Sequence, residues 1–147
     1  MSGTHFKALS NLNYSTNHYA VLSLGNVCPA GSVPFSRYFD NEDDTGGNAN
    51  WSRGDIYPNF SRENTHLYFC LFRSSGDTMS SFPDIGMSYG VFAASGFSKA
   101  LAEGYVHTDD QDKNNANSYT ADATWWNDAQ RIITGGNNTD LHMARVR

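Results

Sequence analysis

Charge is scarce in this chain. Asp, Glu, Lys and Arg make up 17% of its 147 residues, and Lys stands only at positions 7, 99 and 113. The formal net charge is -5. No basic stripe is present to neutralise phosphates, so nucleic acid is excluded as an expected partner. Long apolar runs are also missing, which argues against membrane insertion through a helix. Met1-Ser-Gly-Thr-His-Phe6 lacks the basic stretch and apolar run of a secretory signal, so the chain reads as a mature domain or a piece of a longer protein. Cysteine is confined to Cys28 and Cys70. An even pair in a turn-rich, Lys-poor chain fits either a disulfide from an oxidising compartment or two buried thiols.

Aromatic residues reach 14% and hydrophobic residues 39%, beside abundant Gly, Asn and Ser. That is too apolar for disorder, and it suits short strands joined by turns in one domain. Residues 1–18 are polar and read as a lead-in. A single β domain follows over 19–147, made of a repeat at 19–73, a linker at 74–85 and a repeat at 86–147.

Within the first repeat, Tyr19 to Gly25 reads as a strand. Cys28-Pro-Ala-Gly-Ser32 reads as a turn. Val33 to Phe39 contains Pro34, which suits a strand near a sheet edge. An acidic loop spans Asp40 to Asn50, and a short strand is expected at Trp51 to Tyr57. Asn64 to Arg73 is a strand with apolar residues on both alternating faces, so it is expected in the middle of a sheet. The one helix expected is Ala123 to Arg131, capped by Asp122.

Two segments resemble each other. Asn64-Thr-His-Leu-Tyr-Phe-Cys-Leu-Phe-Arg73 returns as Asn138-Thr-Asp-Leu-His-Met-Ala-Arg-Val-Arg147. Upstream, one constant spacing aligns Tyr38 with Tyr105, Glu42-Asp43 with Asp109-Asp110, and Asn48-Ala-Asn50 with Asn115-Ala-Asn117. Ser23-Leu-Gly25 is matched to Ser88-Tyr-Gly90 at a strand end. An insertion around Trp125 and Trp126 separates the two spacings. These echoes predict an all-β fold: an antiparallel β-sandwich of two similar repeats about an approximate internal two-fold, with a β-barrel as the alternative.

Three constellations carry candidate chemistry. Glu42, Asp43 and Asn48 in one loop, and Asp109, Asp110 and Asn115 in the other, offer oxygens of the kind calcium takes. The same Asn side chains equally suit stapling a loop to its own backbone. Asn50 with Trp51, Asn117 with Tyr119, and the pair Trp125 and Trp126 set aromatic faces beside polar groups, which suits a sugar. Gly86-Met-Ser-Tyr-Gly90 matches a nucleophile-elbow pattern, but such folds need parallel strands with crossover helices and a longer chain, and no strand-like apolar run precedes Gly86. No catalytic residue is assigned. The five histidines lack ligand spacing, although His107 stands near the second acidic loop. Asn13, Asn50, Asn59 and Asn137 open glycosylation-type triplets, as chance allows in such a composition.

The resulting expectation is an extracellular or cell-surface binding module for a glycan or receptor, at the tip of a longer fibre or secreted protein. Calcium is the one expected cofactor, and a homo-oligomer is compatible with it. A structural assembly subunit is the alternative, and a hydrolase using loop carboxylates the third reading.

Overall fold

The computed structural model describes residues 6–10, 17–25, 27–41, 53, 64–73, 77–110 and 115–147. In chain order the elements are β1 (Ala8–Leu9), β2 (Tyr19–Leu22), β3 (Ser32–Phe39), β4 (Thr65–Phe72), β5 (Thr78–Met79), β6 (Tyr89–Ala93), β7 (Ala102–Thr108), β8 (Ser118–Thr120), α1 (Trp126–Ile132), β9 (Ile133–Thr134) and β10 (Thr139–Val146). One eight-stranded sheet runs β7-β10-β6-β2-β4-β3-β8, with β9 alongside β10. Its pairings are antiparallel. β1 and β5 form a separate parallel pair.

The strand expected at the centre is central. β4 lies between β2 and β3. Its Phe69 and Leu71 face one apolar cluster, and its Cys70 and Phe72 face the other. The first cluster is closed by Ala129 and Ile132 of α1. The second holds Tyr19, Val91, Ala144 and Val146, and is closed by Ala8, Leu9, Phe82 and Phe97. Tyr19 stacks on Phe72 at 4.9 Å, and its hydroxyl donates to the Lys7 carbonyl at 2.6 Å. Each such large side chain contributes about 2 kcal/mol by leaving water. A disulfide joins Cys28 to Cys70 and ties the turn before β3 to β4.

Several expectations are corrected. Among the described residues one eight-stranded sheet spans both parts of the chain, because β2 pairs with β6. The covering layers are α1 on one face, and on the other β1, β5 and the loops beside them. The sheet is not closed into a barrel. Residues 6–10, read as lead-in, pack over the sheet because Ala8 and Leu9 are apolar and find Phe82 and Tyr19 there. The helix starts later than expected. The Asp122 carboxylate accepts from the Thr124 N–H at 2.8 Å and so shapes the turn before α1, without capping it. The strand expected at 51–57 lies outside the described residues except for Arg53.

The ladder also revises the proposed equivalences. Tyr19-Ala-Val-Leu22 lies against Phe72 to Phe69, and Tyr89-Gly-Val-Phe92 lies against Val146 to Met143. Under the closing-strand match, Tyr89, rather than Ser88-Gly90 as a unit, falls on the rung of Tyr19. Tyr38 lies opposite His66, whereas Tyr105 lies opposite His142. In the closing-strand match His66 corresponds to Asp140, and Asp140 faces His107. His107 thus occupies the rung of Tyr38, and Tyr105 the rung of Ser36. A two-residue slip keeps each side chain on its face, so alternation alone could not detect it.

Candidate functional site

A buried polar clasp fixes the loop around Asp110. Phe35, Arg37 and Phe39 alternate onto one face of β3, so Arg37 is carried into an apolar row. It is 1% exposed. Its guanidinium lies over the Tyr119 ring at 4.3 Å and donates to Thr139 Oγ1 at 2.7 Å. Thr139 in turn donates to Asp110 Oδ2 at 2.6 Å. Burial pushes the Arg37 guanidinium down from its ordinary value, while Tyr119 and Asp110 oppose that shift. Burial pushes the Tyr119 phenol up, against the pull of Arg37. The Tyr119 hydroxyl donates to the Ile133 carbonyl at 2.7 Å.

The Asn-Ala-Asn segment staples this loop. The Asn115 amide donates to the carbonyls of Asp110 and Asn137, both at 2.8 Å, and its oxygen accepts from the Asn117 N–H at 3.1 Å. The Asn117 amide donates to Asp110 Oδ2 at 3.1 Å and to the Asn137 carbonyl at 2.7 Å. The Asn117 oxygen accepts from the Asp40 N–H, and Asp40 Oδ2 accepts from the Ala116 N–H, each at 2.6 Å. The clasp therefore spans the start of the second acidic loop and the end of β3. Asn115 bonds the Asp110 carbonyl, and the positive group near the Asp110 carboxylate is Arg37. Among the described residues no three His, Cys, Asp or Glu side chains gather at metal-binding range. His107 pairs with Asp140 at 2.6 Å and does not join the clasp. Glu42, Asp43 and Asn48 lie outside the described residues.

Of the expected ligand-binding residues, Tyr119, Trp125 and Trp126 form one aromatic corner. Trp126 meets Tyr119 edge to face at 5.8 Å. The Trp125 indole donates to the Pro34 carbonyl at 2.9 Å and packs on the core under α1. Both tryptophans are half-buried. The amide of Asn117 is committed to the staple. Asn50 and Trp51 lie outside the described residues.

Among the described residues, three open clefts lie on the sheet face opposite α1, and two of them concern the strand ends of the sheet. One, of about 270 Å³, is lined by Ala93, Ser95, Glu103, Tyr105 and His142. Tyr105 is 61% exposed, and its ring lies 5.7 Å from that of His142. His142 Nε2 is 3.0 Å from Thr134 Oγ1, and Glu103 accepts from the Phe97 N–H at 2.7 Å. The second cleft, of about 380 Å³, is lined by Ser23, Gly25, Pro34, Tyr68 and Phe69. Under the closing-strand match, Ser23, Pro34 and Tyr68 fall on the rungs of Ala93, Glu103 and His142.

No family model, curated protein or solved structure matches this chain.

The reading of function therefore rests on these groups. Sequence reasoning missed Arg37 and the Tyr105–His142 cleft. Arg37 was detectable as the single charge between Phe35 and Phe39 on one face of a strand. The cleft was not, because it needs the β7–β10–β6 order. Ser88 directly precedes β6 and no helix follows that strand, unlike a nucleophile elbow.

Proposed function

We propose that this chain is a carbohydrate-binding module of an extracellular or cell-surface protein. The observation that carries this reading is the exposed Tyr105 ring beside His142, Glu103 and Ser95 in an open cleft. An apolar ring face stacks on the apolar face of a sugar, and nearby polar groups meet its hydroxyls. Trp126 beside Tyr119 is proposed as a second contact. The Cys28–Cys70 disulfide supports an oxidising compartment. Calcium is retained as a proposal for Glu42, Asp43 and Asn48 alone, because the Asp110 carboxylate is already engaged by Thr139 and Asn117.

We further propose that the two halves descend from one duplicated unit, related by an approximate two-fold perpendicular to the sheet between β2 and β6. Three observations support it. The strand order reads outward in the same sense on both sides: β2, β4, β3 and β6, β10, β7. Tyr-Ala-Val-Leu and Tyr-Gly-Val-Phe take the same rungs. Asn41 donates to Thr65 Oγ1 at 3.4 Å where Thr139 bonds Asp110. The paired clefts then become two descendants of one groove.

A glycan array tests the binding reading, with Tyr105→Ala and Trp126→Ala beside the parent chain. Binding by the parent and loss in Tyr105→Ala is the expected outcome. Binding that survives both substitutions, or no glycan bound at all, overturns it.

A further inference from the structure

Strand β7 is an open edge. Among the described residues it has β10 on one side and no strand on the other. Ala102 to His107 are exposed on both faces. Backbone groups alternate in direction along an antiparallel strand, so one known bond fixes the parity across the sheet. The Ser23 N–H donates to the Tyr68 carbonyl at 2.8 Å. Counting rung by rung from there through the registers, Ala102, Gly104, Val106 and Thr108 turn toward β10. Two further facts agree with this count. The Arg145 carbonyl, which it turns toward β7, accepts from the Leu101 N–H at 2.8 Å. Pro34, which it turns outward from β3, has no N–H to leave unpaired, and its carbonyl is taken by Trp125. Glu103, Tyr105 and His107 therefore aim their N–H and C=O groups away from the sheet.

The corresponding edge in the other half is filled. There Ser36 and Tyr38 of β3, on the rungs of Tyr105 and His107, pair with Thr120 and Ser118 of β8. Natural edges are blocked by Lys, Pro or bulges; β7 carries neither Lys nor Pro, the irregular bond of Leu101 to Arg145 lies before its first residue, and Glu103 is its one acidic residue.

We infer that β7 pairs antiparallel with β7 of a second copy of this chain, on a two-fold axis through Tyr105. The occupant follows from self-complementarity. With Tyr105 opposite its own copy, Glu103 falls opposite His107 of the partner subunit, and Val106 falls opposite the partner's Gly104. A carboxylate thus meets an imidazole at both ends of the seam, and a β-branched side chain lies over a glycine on the other face. The outward N–H and C=O groups of Glu103, Tyr105 and His107 each find a reciprocal partner. A slip of one residue would set inward-turned groups against outward-turned ones and lose the bonds. Both eight-stranded sheets would become one continuous sheet, with the two Tyr105 clefts side by side at its centre.

The test is hydrodynamic and needs no glycan, so it is independent of the binding proposal. Sedimentation and light scattering of the full chain should give a concentration-dependent dimer. Tyr105→Ala keeps the outward N–H and should retain it. Tyr105→Pro removes that N–H on both copies while leaving the bonds to β10, and should weaken the dimer roughly ten- to a hundredfold. Circular dichroism and melting confirm that each variant folds. Tyr105→Cys sets two thiols at about the 5.5 Å Cα separation of a hydrogen-bonded pair and should cross-link under mild oxidation, well ahead of Val106→Cys. A parent chain that stays monomeric at every concentration overturns the inference. So does a dimer indifferent to Tyr105→Pro, or open-ended growth, which would mean that β7 takes a different strand of the next copy.

Discussion

Thr139→Val is the sharpest probe of the clasp. The two side chains have nearly the same shape, and Thr139 is 0% exposed, so the substitution removes a hydroxyl and little else. That hydroxyl accepts from Arg37 at 2.7 Å and donates to Asp110 at 2.6 Å. A hydrogen bond to a charged partner contributes about 1.5–3 kcal/mol, and two are lost. Compensation is partial. Arg37 keeps the Gly136 carbonyl at 3.4 Å, and Asp110 Oδ2 keeps the Asn117 amide at 3.1 Å. The expected loss is about 3 kcal/mol, or roughly a 10 °C fall in melting temperature for a chain of this size. Thr65→Val in the other half removes one neutral, longer bond at 3.4 Å and should cost about 0.5–1 kcal/mol. Urea unfolding of both variants measures the difference. Equal losses would refute the assignment of a charge-assisted clasp to Thr139, as would an additive cycle between Thr139→Val and Asp110→Asn.

Reducing or deleting the Cys28–Cys70 bridge, which spans a sequence separation of 42, should cost about 4 kcal/mol in the chain-entropy account, read from the urea midpoint with and without reductant. Gly135→Ala should destabilise by about 3 kcal/mol or more, because φ is +121° there and a Cβ would collide with the Asn138 carbonyl; thermal melting reads this directly. Burial lowers the pKa of both His18 and His66 from 6.5, and for His18 it outweighs the opposing pull of Asp128. The folded state therefore refuses a proton that the unfolded chain accepts, so stability should be full above pH 6.5 and fall as pH drops below it; urea midpoints across pH 7.5 to 5 check the sign, and His66→Gln should flatten the slope. Calcium at millimolar concentration is expected to leave the Asp110 loop unmoved, because Arg37 already faces that carboxylate; a calorimetric signal from a variant lacking Glu42 and Asp43 would contradict this.

Much of the sheet was legible in the sequence because burial on both faces leaves a double apolar alternation, as in Leu67 to Phe72. The closing-strand match was legible for the same reason: Leu67 and Leu141, and Cys70 and Ala144, keep their faces. The upstream register was not. Tyr38 and Tyr105 are identical residues two rungs apart, and period-two alternation is blind to such a slip. The echo that does share rungs, Tyr19-Ala-Val-Leu22 with Tyr89-Gly-Val-Phe92, is short and apolar, the commonest kind of strand. The clasp was half legible. Asn115 and Asp110 drew attention as oxygen donors, but their partners Arg37 and Thr139 lie far along the chain. The Trp125–Trp126 pair marked a real corner, without revealing that one indole is committed to the Pro34 carbonyl.

The route of the chain from β7 to β8 has a consequence for biosynthesis. Strand β8 belongs to the second half by sequence, yet it completes the outer margin of the first. While the ribosome is still making residues beyond β4, the β3 rim stays uncovered, and it is sealed only when Thr120 has emerged. The amino-terminal half by itself leaves that rim unpaired. Released alone, it would offer Ser36 and Tyr38 to any passing strand, and a stalled or truncated product should be found in aggregates.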